Sequence, residues 1–173
     1  MRLFTSILFS LAVVASSSAQ LTVLELLAAA PSNSHFNDIV SNDDLNSLLD
    51  SETDLTVLVP NNDAIDAYAA AMGMTTADFI ASESAVDMAL YHIVPNEAIM
   101  FSELSGESVA TTALGMPISF HEDEVVNATD VAAADLDASN GVLHLLDEVV
   151  ALSDGIYQWL DASTQHNYLT TAV

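Results

Sequence analysis

Leu55 to Ala67 reads Leu-Thr-Val-Leu-Val-Pro-Asn-Asn-Asp-Ala-Ile-Asp-Ala, which predicts a strand followed at once by a helix. Residues 55–59 can be apolar on both faces, as is typical of a strand in the middle of a sheet. Pro60 has no N–H for a strand ladder, so the strand is expected to end there. Asn61 and Asn62 can accept from the free amides of the next turn, and Asp63 and Asp66 place negative charge at the positive end of the helix dipole.

Helices are predicted on both sides of this strand, because apolar residues recur there at helical spacing. They are expected over Leu21–Ala30 with Thr22 as the cap, Pro31–Leu49 with a break at Asn42-Asp43-Asp44, Asn61–Gly73, Thr75–Ile80 and Ser84–Tyr91.

From Ser105 onward the pattern changes from helical spacing to alternation, which predicts an antiparallel meander of short strands. These are Val109–Thr112, Pro117–His121, Val125–Val126, Val131–Ala134 and Asn140–Val150. Helices first and antiparallel strands last, with one early central strand, indicate the α+β class.

Three phrases in the chain resemble signatures of the fasciclin domain family. Thr56–Ile65 is similar to its first signature, and Tyr91-His92 stands before a Val-Pro turn in which Asn96 replaces the glycine. Asn140–Val150 is similar to the second signature, Asn-Gly-Val-Ile-His-x-Ile-Asp-x-Val-Leu. The resemblance implies helices packed on a seven-stranded antiparallel β-sandwich-like wedge.

The chain divides into three parts on sequence grounds. Residues 1–19 are expected to be a signal peptide, with Arg2 at its start, an apolar run too short to span a bilayer, and small residues before Gln20. Residues 20–151 are the size of one domain and form the expected fasciclin domain. Residues 152–173 resemble the helical opening of a second repeat, and are either its remnant or a helix packed on the domain. A secreted, extracellular protein is the expectation, with no later segment that could cross a membrane.

The composition is strongly acidic, with 25 acidic residues and Arg2 as the only lysine or arginine. The chain also has no cysteine. Nucleic acid is excluded as a partner because phosphates need cations to bind them. Disulfides, thiol catalysis and thiolate metal sites are excluded too. Repulsion between carboxylates weakens as salt increases. Two interpretations remain open: a saline, divalent-rich or mineral-associated setting, and the ordinary acidity of a secreted protein.

The resemblance implies cell adhesion or extracellular-matrix binding, with no catalysis and no cofactor, and a cell-surface or matrix protein or glycan as the partner. Its proposed receptor dipeptide falls on Asp135 and Leu136, and its Tyr-His motif on Tyr91 and His92. An exposed aspartate can complete the coordination of a cation held by a receptor. The alternatives are that Asp135 is a turn residue, that Leu136 is a core residue and that the Tyr-His pair is structural. His144 is expected to be a hydrogen-bonded core residue.

Motifs of hydrolases, phosphate-binding loops and transition-metal sites are not found in the sequence. Asp135-x-Asp137-x-Ser139 begins like a calcium loop, but it lacks the glycine and glutamate that complete one. Weak surface Ca²⁺ binding by Glu122-Asp123-Glu124 or Asn42-Asp43-Asp44 is an alternative to plain solvated turns. Asn127-Ala128-Thr129 is an acceptor sequence for N-glycosylation. The rival function is an acidic matrix protein that interacts with cations or mineral.

Overall fold

The computed structural model describes residues 20–151. The leader expected at 1–19 and the tail at 152–173 lie outside the described residues. Residues 20–151 contain six α-helices, which precede or flank the early strands: α1 Val23–Ala28, α2 Ser34–Val40, α3 Asp43–Ser51, α4 Asn62–Ala71, α5 Thr76–Ile80 and α6 Glu83–Tyr91. Turns of 3-10 helix lie at Pro31–Asn33 and Phe101–Glu103.

Polar side chains cap α1, α3 and α4, as expected for Thr22 and Asn61. Thr22 and Glu25 form a reciprocal capping box at α1. The side chain of Asn42 accepts from the N–H of Asp44 at α3, and that of Asn61 accepts from the N–H of Ala64 at α4. Asn96 has a φ of 62°, which confirms that asparagine supports the left-handed turn here.

Seven strands form one sheet in the order β2-β1-β7-β6-β5-β4-β3. Their bounds are β1 Leu55–Pro60, β2 Ile93–Val94, β3 Glu107–Thr111, β4 Pro117–His121, β5 Val125–Val126, β6 Thr129–Ala138 and β7 Gly141–Leu146. The predicted α+β class is confirmed, and so is the number of strands.

The expectation of a purely antiparallel sheet is wrong, because β1 and β7 run parallel, with Leu55 opposite Gly141 and Pro60 opposite Leu146. The other strand pairs are antiparallel, so the sheet is mixed. Alternation along a strand predicts which faces are buried, but it carries no information about the direction of the neighbouring strand.

Strand β1 separates two hydrophobic clusters, because all six of its residues are buried. On one face Leu55, Val57 and Val59 pack with the helices. On the other face Leu58 joins a cluster that includes residues of β4 and β5. The sheet therefore has helices on one side of its centre and its own far strands on the other, which gives the wedge a filled interior.

The three sequence phrases meet at this centre. Val57 lies opposite Ile93 in β2 and opposite Leu143 in β7. The N–H of Leu58 donates to the carbonyl of His92 over 2.9 Å. Gly141 is required by this pairing, since a Cβ there would lie 2.3 Å from the carbonyl oxygen of Leu55.

Candidate functional site

The proposed receptor dipeptide lies where β6 is irregular. The register between β6 and β7 shifts between Val131 and Ala133 and again between Ala133 and Leu136. Asp135 occupies the second irregularity with a φ of 57°, a left-handed conformation that aspartate tolerates better than most residues. Such bulges redirect side chains at the surface of a sheet, and here the turned residues are Asp135 and Leu136.

The carboxylate of Asp135 binds the protein's own backbone. Its two oxygens accept hydrogen bonds from the N–H groups of Phe101 and Ser102, at 2.8 and 2.9 Å. Partial burial raises the pKa of Asp135, but hydrogen bonds from Ser102 and Phe101 outweigh it, and the pKa is lowered from its ordinary value. These amides open a 3-10 turn and have no acceptor within it. Asp135 is thus an anchor for the segment around Phe101.

His144 holds the same segment from the interior of the sheet. Its ring is fully buried, its Nδ1 accepts from the backbone N–H of Asp135 over 3.1 Å, and its Nε2–H donates to the carbonyl of Ile99 over 2.9 Å. Burial lowers the pKa of His144, although the Ile99 bond and the Asp135 charge act in the opposite direction. The expectation of a hydrogen-bonded core histidine is confirmed.

Leu136 points away from this network to the surface and is 39% exposed. It lines a groove of about 290 Å³ between α1 and the strands β6 and β7. The lining is mainly aliphatic, with one carboxylate, and it includes Leu26, Leu27, Asp137, Leu143 and Leu145. The alternative interpretation of Leu136 as a core residue is wrong, because a core residue would be buried.

Tyr91 and His92 lie in the interior, with exposures of 1% and 0%. The Nδ1–H of His92 donates to the carbonyl of Met88 over 2.7 Å, and its Nε2 accepts from the N–H of Val150 over 3.1 Å. Desolvation by burial lowers the pKa of His92 to about 4, and the bond to Met88 offsets only part of that effect. The ring therefore ties the end of α6 to the segment after β7.

Asn127, the predicted glycosylation site, is joined to the Tyr-His motif. Its Nδ2 donates to the hydroxyl of Tyr91 over 2.9 Å, and its Oδ1 accepts from the N–H and the hydroxyl of Ser119, at 3.0 and 3.3 Å. The Tyr91 hydroxyl in turn donates to the carbonyl of Pro117 over 3.3 Å. Asn127 thus connects the β5–β6 turn to β4 and α6. Its glycosylation stays a prediction.

The acidic turns contribute to local structure. A carboxylate oxygen of Glu122 accepts from the N–H of Gly106 over 2.8 Å, and Asn42 caps α3. Within residues 20–151, no group of three or more histidine, aspartate or glutamate side chains is placed to hold a metal ion. Over the same range, no helix has the length and apolar content needed to cross a bilayer.

Two structural features of this region could not be predicted from the sequence. The groove combines Leu26 of α1 with Leu145 of β7, and the anchor joins Asp135 to Phe101. Each pair is brought together only by the folded sheet, so no local spacing could reveal it. The one local signal was the adjacency of an acid and a branched aliphatic residue at 135 and 136.

The architecture is that of an α+β domain whose buried polar side chains hold surface loops in place. The sequence model of the Fasciclin domain family matches residues 31–152 of this chain. The chain therefore belongs to the fasciclin domain family.

The chain is also similar to a curated protein and to solved structures. Protein sll1483 of Synechocystis sp. is 31% identical over 140 residues, which cover 79% of this chain and 76% of that protein. A FAS1 domain pair from the insect cell adhesion molecule Fasciclin I has a TM-score of 0.58 and 16% identity, covering 79% of this chain and 52% of its own. This chain spans about half the length of that domain pair, and the likeness at this identity shows the fold alone.

Proposed function

We propose that this protein is a secreted adhesion or matrix-binding module that acts by surface recognition, without chemistry at a reactive centre. Leu136 carries the proposal: it is a large apolar side chain presented to solvent on a bulge that is fixed from behind. Exposed apolar side chains grouped around a groove are typical of sites that bind other proteins.

The hydrogen-bond networks support this proposal. His92 and His144 use both ring nitrogens to hold backbone groups, and Asp135 uses both carboxylate oxygens in the same way. These three side chains, of types that elsewhere serve as general acids or bases, are here structural. Membership in the fasciclin domain family, many of whose members are extracellular adhesion proteins, supports the same role.

Within this proposal the four predicted site residues, Asp135, Leu136, Tyr91 and His92, have different roles. Leu136 touches the partner directly in this proposal. Asp135 fixes the conformation that presents Leu136, and we propose that its carboxylate stays on the backbone amides when the partner binds. Tyr91 and His92 support the domain from its interior and affect binding through its stability.

A surface-binding assay tests the proposed function. The purified protein is presented to immobilised collagen, fibronectin and laminin and to adherent cells, with albumin as the blank. We expect binding to at least one of these surfaces above the blank. Folded protein that binds none of them would overturn the adhesive role.

The second candidate, a matrix protein that interacts with cations or mineral, is favoured by a composition of 25 acids against a single lysine or arginine. Calcium calorimetry separates the two functions. Many weak sites per molecule favour the mineral role, whereas no measurable heat favours adhesion.

A further inference from the structure

We infer that the groove beside Leu136 takes a segment of another protein in which an aliphatic side chain stands next to lysine or arginine. This inference rests on the proposed function, and it names the chemistry of the partner. It depends on two properties of the groove, namely an aliphatic interior and the presence of Asp137 in its lining, on a described surface without lysine or arginine.

The aliphatic part of the site is built from two layers. Leu27 and Leu143 are each 2% exposed and form the floor. Leu26 and Leu145 are partly buried, while Leu136 stands higher at the rim. A volume of about 290 Å³ is enough for one branched side chain and its neighbouring backbone. Covering these leucines removes apolar surface from water, which is the main source of favourable free energy in such contacts.

The charge of the site points to a basic neighbour for that side chain. Asp137 is exposed and lines the groove next to Leu136. Residues 20–151 contain no lysine or arginine and hold all of the chain's acids except Asp154 and Asp161. A cationic partner segment would be drawn to this surface and oriented by Asp137, whereas an acidic segment would be repelled.

The same charge argues against occupants that come from the protein itself. A second copy would bring a described surface with no lysine or arginine, so its carboxylates would approach Asp137 unpaired. The segment 152–173 has apolar residues such as Ile156 and Trp159, but it also has no lysine or arginine. Like charges disfavour both.

A peptide titration tests the inference. The probe is an acetylated, amidated peptide Gly-Lys-Leu-Lys-Gly, added to ¹⁵N-labelled protein and followed by amide chemical shifts, which detect weak binding. Two matched peptides carry serine in place of leucine or glutamate in place of both lysines. We expect shifts around Leu26, Leu136 and Leu145 with the first peptide, and much smaller ones with the other two.

Variants of the protein locate the site. Leu136→Ser should weaken binding about tenfold, because it removes apolar surface that the partner would cover. Asp137→Asn should weaken it about threefold, as expected for one exposed charge pair, with less dependence on salt. Val109→Ser is the control, because Val109 is 62% exposed on the distant edge strand β3 and should leave binding unchanged.

Four results would overturn the inference: shifts that map elsewhere, full binding by Leu136→Ser, wild-type dimers that Leu136→Ser abolishes, and tighter peptide binding after Trp159→Ala. The last two would assign the groove to a second copy or to the chain's own tail. If the protein binds cells or matrix proteins and Leu136→Ser binds them equally well, the proposed adhesive role is supported and the inference about the groove is wrong. If the protein binds no such surface but binds the peptide as described, the inference about the groove is supported and the proposed adhesive role is wrong.

Discussion

The backbone N–H of Asp135 donates to Nδ1 of His144 over 3.1 Å, so the proton of this neutral ring must be on Nε2. His92 has the opposite tautomer, because its Nδ1 faces the carbonyl of Met88 and its Nε2 accepts from Val150. Each ring joins two backbone segments that are distant in sequence. A second proton on either ring would turn its accepting nitrogen into a donor that faces a backbone N–H, and that hydrogen bond would be lost. Both rings therefore stabilise the fold only when neutral.

Acid should therefore destabilise the protein. The pKa of His92 is about 4 in the folded state and 6.5 in the unfolded chain, so the unfolded state binds more protons between these values. The stabilisation is complete above pH 6.5 and is lost as the pH falls towards about 4. For this shift it amounts to about 3 kcal/mol. His144 acts in the same direction.

Urea unfolding between pH 7.5 and 4.5 measures this loss. His92→Gln should be less stable at pH 7.5 but have a flatter pH profile. His35→Gln is the control, because His35 is only partly buried, at 29% exposure. Superimposable profiles for the wild type and His92→Gln would contradict the assignment.

Gly141 allows β1 and β7 to approach each other, and its replacement should separate them. The Cβ of an alanine there would lie 2.3 Å from the carbonyl oxygen of Leu55 and 2.8 Å from its Cβ. We expect Gly141→Ala to lower the free energy of unfolding by about 3 kcal/mol or more. Gly115→Ala is the matched control, since its Cβ meets nothing within 4 Å and only its φ of 81° is unfavourable, at about 1–2 kcal/mol. Equal losses in the two variants would contradict the parallel pairing.

Asn127 should matter for stability even without a glycan. Asn127→Ala removes the partner of the Tyr91 hydroxyl and of Ser119, and should cost about 1–3 kcal/mol. Thr129→Val destroys the same acceptor sequence while leaving the Asn127 amide in place, so it should cost far less. Thermal unfolding of bacterially expressed variants measures the hydrogen bonds alone, and mass spectrometry of protein from eukaryotic cells reports the glycan. Equal stability of both variants would remove the structural role of Asn127.

Salt should stabilise the protein, because its carboxylates repel one another with no lysine or arginine nearby to offset them. We expect the melting temperature to rise by at least about 3 °C between low salt and 1 M sodium chloride, which corresponds to roughly 1 kcal/mol. Calcium chloride at equal ionic strength should have the same effect if screening is the cause, and a larger effect if calcium binds. An unchanged melting temperature would refute the repulsion.

Local chemistry in the sequence was enough to predict most elements of the fold. Thr22 and Asn61 cap helices as expected, because a short polar side chain before an apolar helical pattern satisfies free amides. Strand β2 was missed, because Ile93-Val94 is too short to show alternation and continues the apolar pattern of α6. The parallel direction of β7 was missed because pairing depends on the path of the chain between the strands.

The candidate site was less accessible from sequence. Asp135 and Leu136 could be chosen from a resemblance, but their different orientations follow from the bulge in β6 and from the amides of Phe101 and Ser102, more than thirty residues earlier. The sequence around an aspartate in a short polar segment does not reveal whether its carboxylate is solvated or hydrogen-bonded to the backbone. Likewise, nothing in Asn127-Ala128-Thr129 shows that Tyr91 holds the amide.

The central claim is that the Asp135 carboxylate anchors the segment at Phe101 and leaves Leu136 to meet the partner. Amide hydrogen exchange of Phe101 and Ser102 tests it most directly, because these amides open a 3-10 turn that offers them no acceptor, so their protection comes from Asp135. Both amides should exchange slowly in the wild type and at least about tenfold faster in Asp135→Ala, as loss of about 1.4 kcal/mol implies. Asp137→Ala, on the same strand, should leave them unchanged. Fast exchange of both amides in the wild type would show that the carboxylate is free in solvent, and would contradict the account.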